Sequence, residues 1–95
     1  MNDRSFFVIA YDISNDRRRY KTARLLESLG ARTQGSVFEA YLNAEELKKL
    51  QQKVKKHIHE KEDRLRIYPL CQACHAKIIS LGNENTAAAP QLVVV

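Results

Sequence analysis

The chain has few cysteines and no long apolar run. It contains two cysteines, which do not make a disulfide framework of the kind that holds small secreted domains together. Its apolar run at residues 6–11 is far shorter than the roughly 20 residues of a membrane span. The N-terminal residues do not form a secretory signal. We therefore expect a cytoplasmic protein of a reducing compartment with no membrane partner.

Length and charge narrow the class of protein further. A chain of 95 residues forms one domain and is too short for a catalytic barrel, which needs roughly 200 residues or more. Such a domain buries only about 60–65% of its unfolded surface, so a partner would add to its stability. Sixteen Lys and Arg against eleven Asp and Glu give a net charge of +5. Charge alone would allow nucleic acid or a membrane surface as the anionic partner, and since we expect no membrane partner, nucleic acid is favoured.

Hydrophobic patterning predicts an α+β domain with four strands and two helices. The predicted strands are 5–12, 32–42, 65–70 and 77–81, and the predicted helices are 16–29 and 43–58. Tyr20 belongs to the apolar stripe of the first helix, and Gly30 ends it. Counted in this way the order is β-α-β-α-β-β. A turn at Gly35 would instead give β-α-β-β-α-β, and the residues alone leave both orders open.

The first strand is apolar on both faces, yet two helices can cover only one face of a four-stranded sheet. The second face therefore needs another cover, which we expect to be a second protomer. Residues 1–82 form the predicted domain, and residues 83–95 form a flexible linker and a terminal strand. This short apolar strand could pair with a sheet edge of the same chain or of a partner; its residues are Leu92, Val93, Val94 and Val95.

Asp12 ends the first predicted strand, a position at which open α/β sheets present functional groups. A carboxylate there can bind a hard cation such as magnesium, although a helix-entry aspartate is an equal interpretation. One carboxylate is a poor metal site, whereas two-fold pairing of chains would bring two copies of Asp12 together. Asp16 and Glu39 are weaker candidates.

A basic cluster follows Asp12. Residues 17–24 hold five bases and no acid, namely Arg17, Arg18, Arg19, Lys21 and Arg24. Positive charge at a helix N-terminus opposes the helix dipole by roughly 0.3–1 kcal/mol per charge. A sequence that accepts this cost favours phosphate binding at that end, and Arg32 could extend the patch. The lysines of residues 48–56 are better interpreted as a solvated helix face.

Cys71 and Cys74 form a Cys-x-x-Cys pair followed by His75. The spacing matches a haem attachment site, but such a site belongs in an exported chain. The pair supplies two zinc ligands, and His75 is too close for the usual spacing of a complete site. A redox pair is a further alternative. We interpret both residues as partly buried turn cysteines.

The first forty residues carry a family resemblance. The stretches that carry it are residues 11–14 (Tyr-Asp-Ile-Ser), 18–21 (Arg-Arg-Tyr-Lys), 26–30 and 32–39 (Arg-Thr-Gln-Gly-Ser-Val-Phe-Glu). Together they resemble the signature of the Cas-two family, the small CRISPR-associated proteins of spacer acquisition. The resemblance covers residues 5–81.

This resemblance implies a ferredoxin-like βαββαβ sandwich, a homodimer with an apolar interface that includes Phe38, and a C-terminal strand added to the partner's sheet. It also implies that Asp12 binds Mg²⁺ at the two-fold axis as the catalytic carboxylate. The family's basic positions correspond to Arg19, Lys21 and Arg32.

Two functions follow from the resemblance. In the first, the dimer holds double-stranded DNA while Cas-one integrase subunits carry out the chemistry of spacer acquisition. In the second, it is a magnesium-dependent endonuclease acting on DNA or RNA. A stand-alone metal-dependent ribonuclease or toxin-like RNA-cleaving protein is the alternative outside that role. A lone acid without an evident general base favours the scaffold.

Overall fold

The computed structural model describes residues 4–82. In that range the chain forms an α+β domain with one four-stranded antiparallel sheet and three helices. The elements in chain order are β1 (Ser5–Asp12), α1 (Asp16–Glu27), β2 (Gly30–Gln34), β3 (Val37–Leu42), α2 (Ala44–His57), β4 (Arg64–Leu70) and α3 (Gln72–Ala76). The terminal strand predicted at residues 92–95 and its linker lie outside the described residues.

The order of the elements corrects the order counted from the sequence. The segment predicted as one strand is two strands, β2 and β3, joined by a turn at Gly35 and Ser36. The order up to β4 is therefore β-α-β-β-α-β. The prediction of a strand at residues 77–81 is also wrong, because residue 77 lies in a turn and residues 78–81 form no regular secondary structure. The short helix α3, which the sequence does not predict, lies immediately before these residues.

The sheet order is β2-β3-β1-β4, which places β1 at the centre. β1 therefore pairs with a strand along each of its two edges, β3 on one side and β4 on the other. Among residues 4–82, β4 lies at an edge of the sheet and pairs only with β1. Pro69 is opposite Phe7 in that register, and an edge strand tolerates a residue that lacks an N–H.

The core lies between one face of the sheet and helices α1 and α2. Alternate residues of β1 and β3 point into it, and Ile9 and Phe38, which are directly opposite each other, have no exposed surface. The helices contribute Leu26 and Leu50, which are both almost completely buried. Phe38, which the resemblance places in a dimer interface, is enclosed by the residues of its own chain.

Local sequence explains where each long helix begins. The Asn15 side chain accepts a hydrogen bond from the Arg18 backbone N–H at 2.9 Å, which starts α1. Asn43 and Glu46 form a capping box at the start of α2, with reciprocal 2.8 Å bonds between each side chain and the other residue's backbone N–H.

Gly30 does not act as a helix cap. It is the first residue of β2, and α1 ends at Glu27. A Cβ at Gly30 would lie 2.1 Å from the backbone oxygen of Glu39 on β3, so only glycine permits this approach of the two strands. No helix within residues 4–82 has the length and apolar character needed to cross a membrane.

Candidate nucleic-acid interface and metal ligand

Helix α1 separates the predicted basic residues into two groups. Arg17, Lys21 and Arg24 are exposed and are spaced by four and three residues, so they form one stripe along the helix. Within residues 4–82, no acidic side chain forms an ion pair with any of the three. We call these three residues the α1 basic stripe; its charge is free to meet an anionic partner.

Arg18 belongs to the second group, whose side chains bind other parts of the same chain. Its Nε donates to Oδ2 of Asp63 at 2.7 Å and its Nη2 donates to Oδ1 at 3.2 Å. A further bond of 3.1 Å joins Nη2 to Glu62. The Asp63 carboxylate is completely buried, and the hydrogen bond from Arg18 lowers its pKa. Arg18 is therefore a tether between α1 and the loop before β4, a role that its predicted place in the nucleic-acid surface did not include.

Arg19 also makes internal contacts. Its Nη1 donates to the backbone oxygens of Ile13 at 3.0 Å and Ser14 at 3.1 Å, and its Nη2 forms an ion pair with Asp16. These bonds hold the connection between β1 and α1. The guanidinium is still partly exposed, but much of its hydrogen-bonding capacity is used inside the chain.

Arg32 bridges β2 and the end of α1. Its Nη2 lies 3.0 Å from Oε2 of Glu27, and its guanidinium carbon lies 5.2 Å from the ring centroid of Phe38. The residue therefore covers the rim of the core. Its charge is partly neutralised, so it is a weaker phosphate ligand than the sequence alone predicts.

The spacing along α1 predicts Tyr20 in the apolar stripe of that helix, but 61% of this residue is exposed. Its hydroxyl accepts a hydrogen bond from Nη1 of Arg24 at 3.0 Å, and the Arg24 guanidinium carbon lies 5.7 Å from the ring centroid. Both residues help to line a shallow, open cleft of about 530 Å³ between α1 and α2, with Lys21, Leu25 and His57. An aromatic residue among bases is the sequence signal that could have identified this surface.

Asp12 lies at the end of β1, where the sequence placed it, and is exposed. Arg64 is opposite it in the register with β4. No hydrogen bond or ion pair engages the Asp12 carboxylate within the described residues. Its free carboxylate provides oxygen ligands of the hard type that Mg²⁺ prefers.

The same part of the chain holds no group of three or more His, Cys, Asp or Glu residues suited to a metal ion. Asp16, the weaker candidate, is committed to Arg19. Asp12 can therefore supply one ligand, and further ligands would have to come from water, substrate or a second chain.

The described residues cover only part of the sheet face opposite α1 and α2. Val8 and Ala10 of β1 remain partly exposed there, and Tyr68 of β4, opposite Val8, is 43% exposed. Helix α3 covers one end of this face, because the His75 ring stacks on Phe6 with 3.9 Å between centroids. We call this surface the open sheet face.

Comparison with known proteins is consistent with these features. Residues 5–78 match the family model described as CRISPR associated protein Cas2. A CRISPR-associated endoribonuclease Cas2 from Chloroflexus aurantiacus is 47% identical over 79 residues, covering 82% of this chain and 85% of the relative.

Two solved structures are similar in fold. A hypothetical protein from Thermus thermophilus has a TM-score of 0.79 at 37% identity, covering 88% of this chain and 98% of that one. Cas2 of Streptococcus pyogenes has a TM-score of 0.74 at 27% identity, covering 81% and 99% respectively. With the family match extending from β1 past α3, these likenesses show that the chain belongs to the CRISPR-associated Cas2 family.

Proposed function

We propose that the protein is a nucleic-acid-binding homodimer that holds double-stranded DNA for the Cas-one integrase during spacer acquisition. The observation that carries this proposal is the α1 basic stripe, Arg17, Lys21 and Arg24, which faces outward without acidic partners in residues 4–82. Membership of the Cas2 family supplies the CRISPR context.

The dimensions of the stripe suit a duplex backbone. Arg17 and Arg24 are seven positions apart, which is about 10 Å along a helix axis at 1.5 Å per residue. DNA rises by about 3.4 Å per phosphate along one strand, so the stripe matches a length of about three phosphates. The pairing of Tyr20 with Arg24 adds an aromatic surface beside these charges.

The open sheet face supports the dimer. Val8, Ala10 and Tyr68 leave apolar surface exposed on a sheet whose other face packs against the helices, and a second copy would bury it. The element order and the strand order β2-β3-β1-β4 support a ferredoxin-like class for each protomer. The terminal residues 92–95 would then add to the partner's sheet.

A second candidate is a Mg²⁺-dependent endonuclease, with RNA as the alternative substrate to DNA. The endoribonuclease name of the Chloroflexus relative and the unpaired carboxylate of Asp12 favour it. Bound Mg²⁺ would stabilise the charge that develops on a phosphodiester during hydrolysis. Asp12 would bind the cation, and the copy of Asp12 from the second protomer would complete its carboxylate pair. A toxin-like ribonuclease acting alone would use the same residue.

The Asp12→Asn variant distinguishes these functions. We expect the variant to remain dimeric and, in buffer that contains a metal chelator, to bind duplex DNA as tightly as the unmodified protein. We also expect it to support spacer acquisition in cells that lack the native copy. If acquisition is lost while dimerisation and DNA binding persist, the scaffold proposal fails and the carboxylate has a chemical role. A cleavage assay on single-stranded RNA and duplex DNA with Mg²⁺ then identifies the substrate.

A further inference from the structure

The functions proposed above use neither cysteine of the chain. The chain has two cysteines, and Cys71 and Cys74 are both exposed free thiols at the first turn of α3. This corrects the interpretation of them as partly buried turn residues. Because there is no other cysteine, any thiol chemistry of the protein occurs at this pair.

The geometry brings the two side chains together. Sγ of Cys71 accepts a hydrogen bond from the backbone N–H of Cys74 at 3.3 Å, so the Cys71 side chain folds over the turn toward Cys74. Cys71 is the N-cap of α3 and Cys74 lies three residues further on, in the first turn, and a disulfide needs Cβ atoms about 3.5–4.5 Å apart. A small adjustment within one turn therefore suffices to join the sulfurs.

The two thiols also differ chemically. Hydrogen bonds from the Cys74 backbone N–H and from the Cys74 side chain lower the pKa of the Cys71 thiol. The interaction with Cys71 raises the pKa of the Cys74 thiol. Cys71 is thus the better nucleophile near neutral pH, because the thiolate is the reactive form.

A metal is a weaker interpretation of the same residues. His75 would be the third ligand, but its ring stacks on Phe6 at 3.9 Å, and Nδ1 lies 3.5 Å from the Tyr41 hydroxyl. The described residues accordingly contain no three-ligand group. Two exposed thiols without a third ligand are better suited to sulfur exchange than to metal binding.

We propose that Cys71 and Cys74 are a reversible dithiol–disulfide site that is oxidised by small-molecule disulfides. The Cys71 thiolate attacks one sulfur of the disulfide, whose S–S bond breaks, and one thiolate leaves. Cys74, after losing its proton to solvent, attacks the Cys71 sulfur and displaces the second thiolate. The two protein thiols lose two electrons and two protons, and the small disulfide gains both to become two thiols.

This site adjoins the open sheet face. Cys74 is followed directly by His75, whose stacking on Phe6 holds α3 on the sheet. Closing the disulfide would fix the turn that leads into this contact. The oxidation state of the two cysteines would therefore change the rigidity of α3, the helix that covers one end of the open sheet face.

The experiment equilibrates the full chain with mixtures of reduced and oxidised glutathione, blocks free thiols with an alkylating reagent, and measures intact mass. Reduced chain carries two alkyl groups, and the intramolecular disulfide carries none. We expect wild type to pass from two groups to none as the proportion of oxidised glutathione rises, without an accumulating glutathione adduct. Persistence of two free thiols, a stable adduct, or a disulfide-linked dimer would overturn the proposal.

Single variants test the roles of the two thiols. Cys74→Ser keeps the more reactive thiol and should trap glutathione on Cys71, because the resolving thiol is absent. It should also react with the alkylating reagent at neutral pH several-fold faster than Cys71→Ser. Equal rates in the two variants would contradict the assignment of Cys71 as the attacking residue. Both side chains are exposed, and circular dichroism would verify that each variant is folded.

Discussion

Arg18 on α1 holds the buried carboxylate of Asp63, 45 residues further along the chain, through hydrogen bonds of 2.7 and 3.2 Å. Oδ2 of Asp63 also accepts the backbone N–H of His59 at 2.7 Å. One carboxylate therefore joins the first helix to the loop that leads into the edge strand β4. A residue that sequence assigns to ligand binding is in this way part of the tertiary structure.

Loss of this tether should destabilise the protein. Arg18→Met leaves the Asp63 carboxylate buried without its partner, which is costly for a charged group. We expect the melting temperature to fall by several degrees in a thermal scan. The control Arg17→Met removes the same charge from the preceding residue. Arg17 is exposed and unpaired within residues 4–82, so this variant should change the melting temperature little. Equal shifts would contradict the tether.

The same carboxylate predicts a dependence on pH. The hydrogen bond from Arg18 lowers the pKa of Asp63 in the folded chain relative to about 3.9 for an unfolded aspartate. The folded state thus binds fewer protons, and the stabilisation is complete above about pH 4 and is lost as the pH falls through the lowered pKa. Urea unfolding of wild type and Asp63→Asn should give a difference in free energy of unfolding that is constant near neutral pH and shrinks in acid.

The exposed Glu60 provides the control for the pH experiment. It is solvent-exposed and no interaction within residues 4–82 engages it, so Glu60→Gln removes a carboxylate without breaking a contact. A difference for Asp63→Asn that stays constant into strong acid would contradict the lowered pKa.

Phe38→Ala distinguishes a core residue from an interface residue. Phe38 has no exposed surface, and removing a buried aromatic ring typically costs about 3–5 kcal/mol. We expect a loss of that size in urea unfolding, independent of protein concentration. Tyr68→Ala, on the open sheet face, should cost far less in the monomer. If Phe38→Ala only weakened self-association and left the monomer stable, the placement in the core would be contradicted.

Gly30 in β2 and Gly35 in the turn between β2 and β3 should respond differently to alanine. Gly30→Ala puts a Cβ against the Glu39 backbone oxygen, whereas no atom lies within 4 Å of a Cβ at Gly35. Gly30→Ala should therefore separate β2 from β3 and lower the melting temperature clearly. Gly35→Ala should be neutral or stabilise by about 0.4–1 kcal/mol through the unfolded chain. Similar effects of both substitutions would argue against the close pairing at Gly30.

The α1 basic stripe should determine the salt dependence of DNA binding. In a fluorescence-anisotropy titration with duplex DNA, the combined variant Arg17→Gln, Lys21→Gln and Arg24→Gln should flatten the slope of log affinity against log salt by about 0.9 for each phosphate that the variant no longer neutralises. The matched variant Lys53→Gln, Lys55→Gln and Lys56→Gln removes the same charge from α2 and should change the slope less. Equal changes would indicate a diffuse electrostatic effect without a defined site.

Much of the local structure follows from local signals. The apolar run before Asp12, the Asn43–Glu46 capping box and the Pro69 edge strand each predict an element that the structure contains. These elements depend on residues close in sequence, whose pattern is visible directly. The turn at Gly35 is only one of two alternatives in the sequence, and the short helix α3 is not predicted, because each depends on a brief signal that competes with strand-forming neighbours.

Sequence by itself determined that this is a small basic α+β domain with a cluster of bases on its first helix and a carboxylate at the end of its first strand. Only the tertiary structure decided which of those bases remain available. Arg18 and Arg32 find acids and a ring on other elements, whereas Arg17, Lys21 and Arg24 face outward. Such partners are far apart in the chain, and no periodicity records them, because ion pairing depends on distances that exist only once the helices have packed on the sheet.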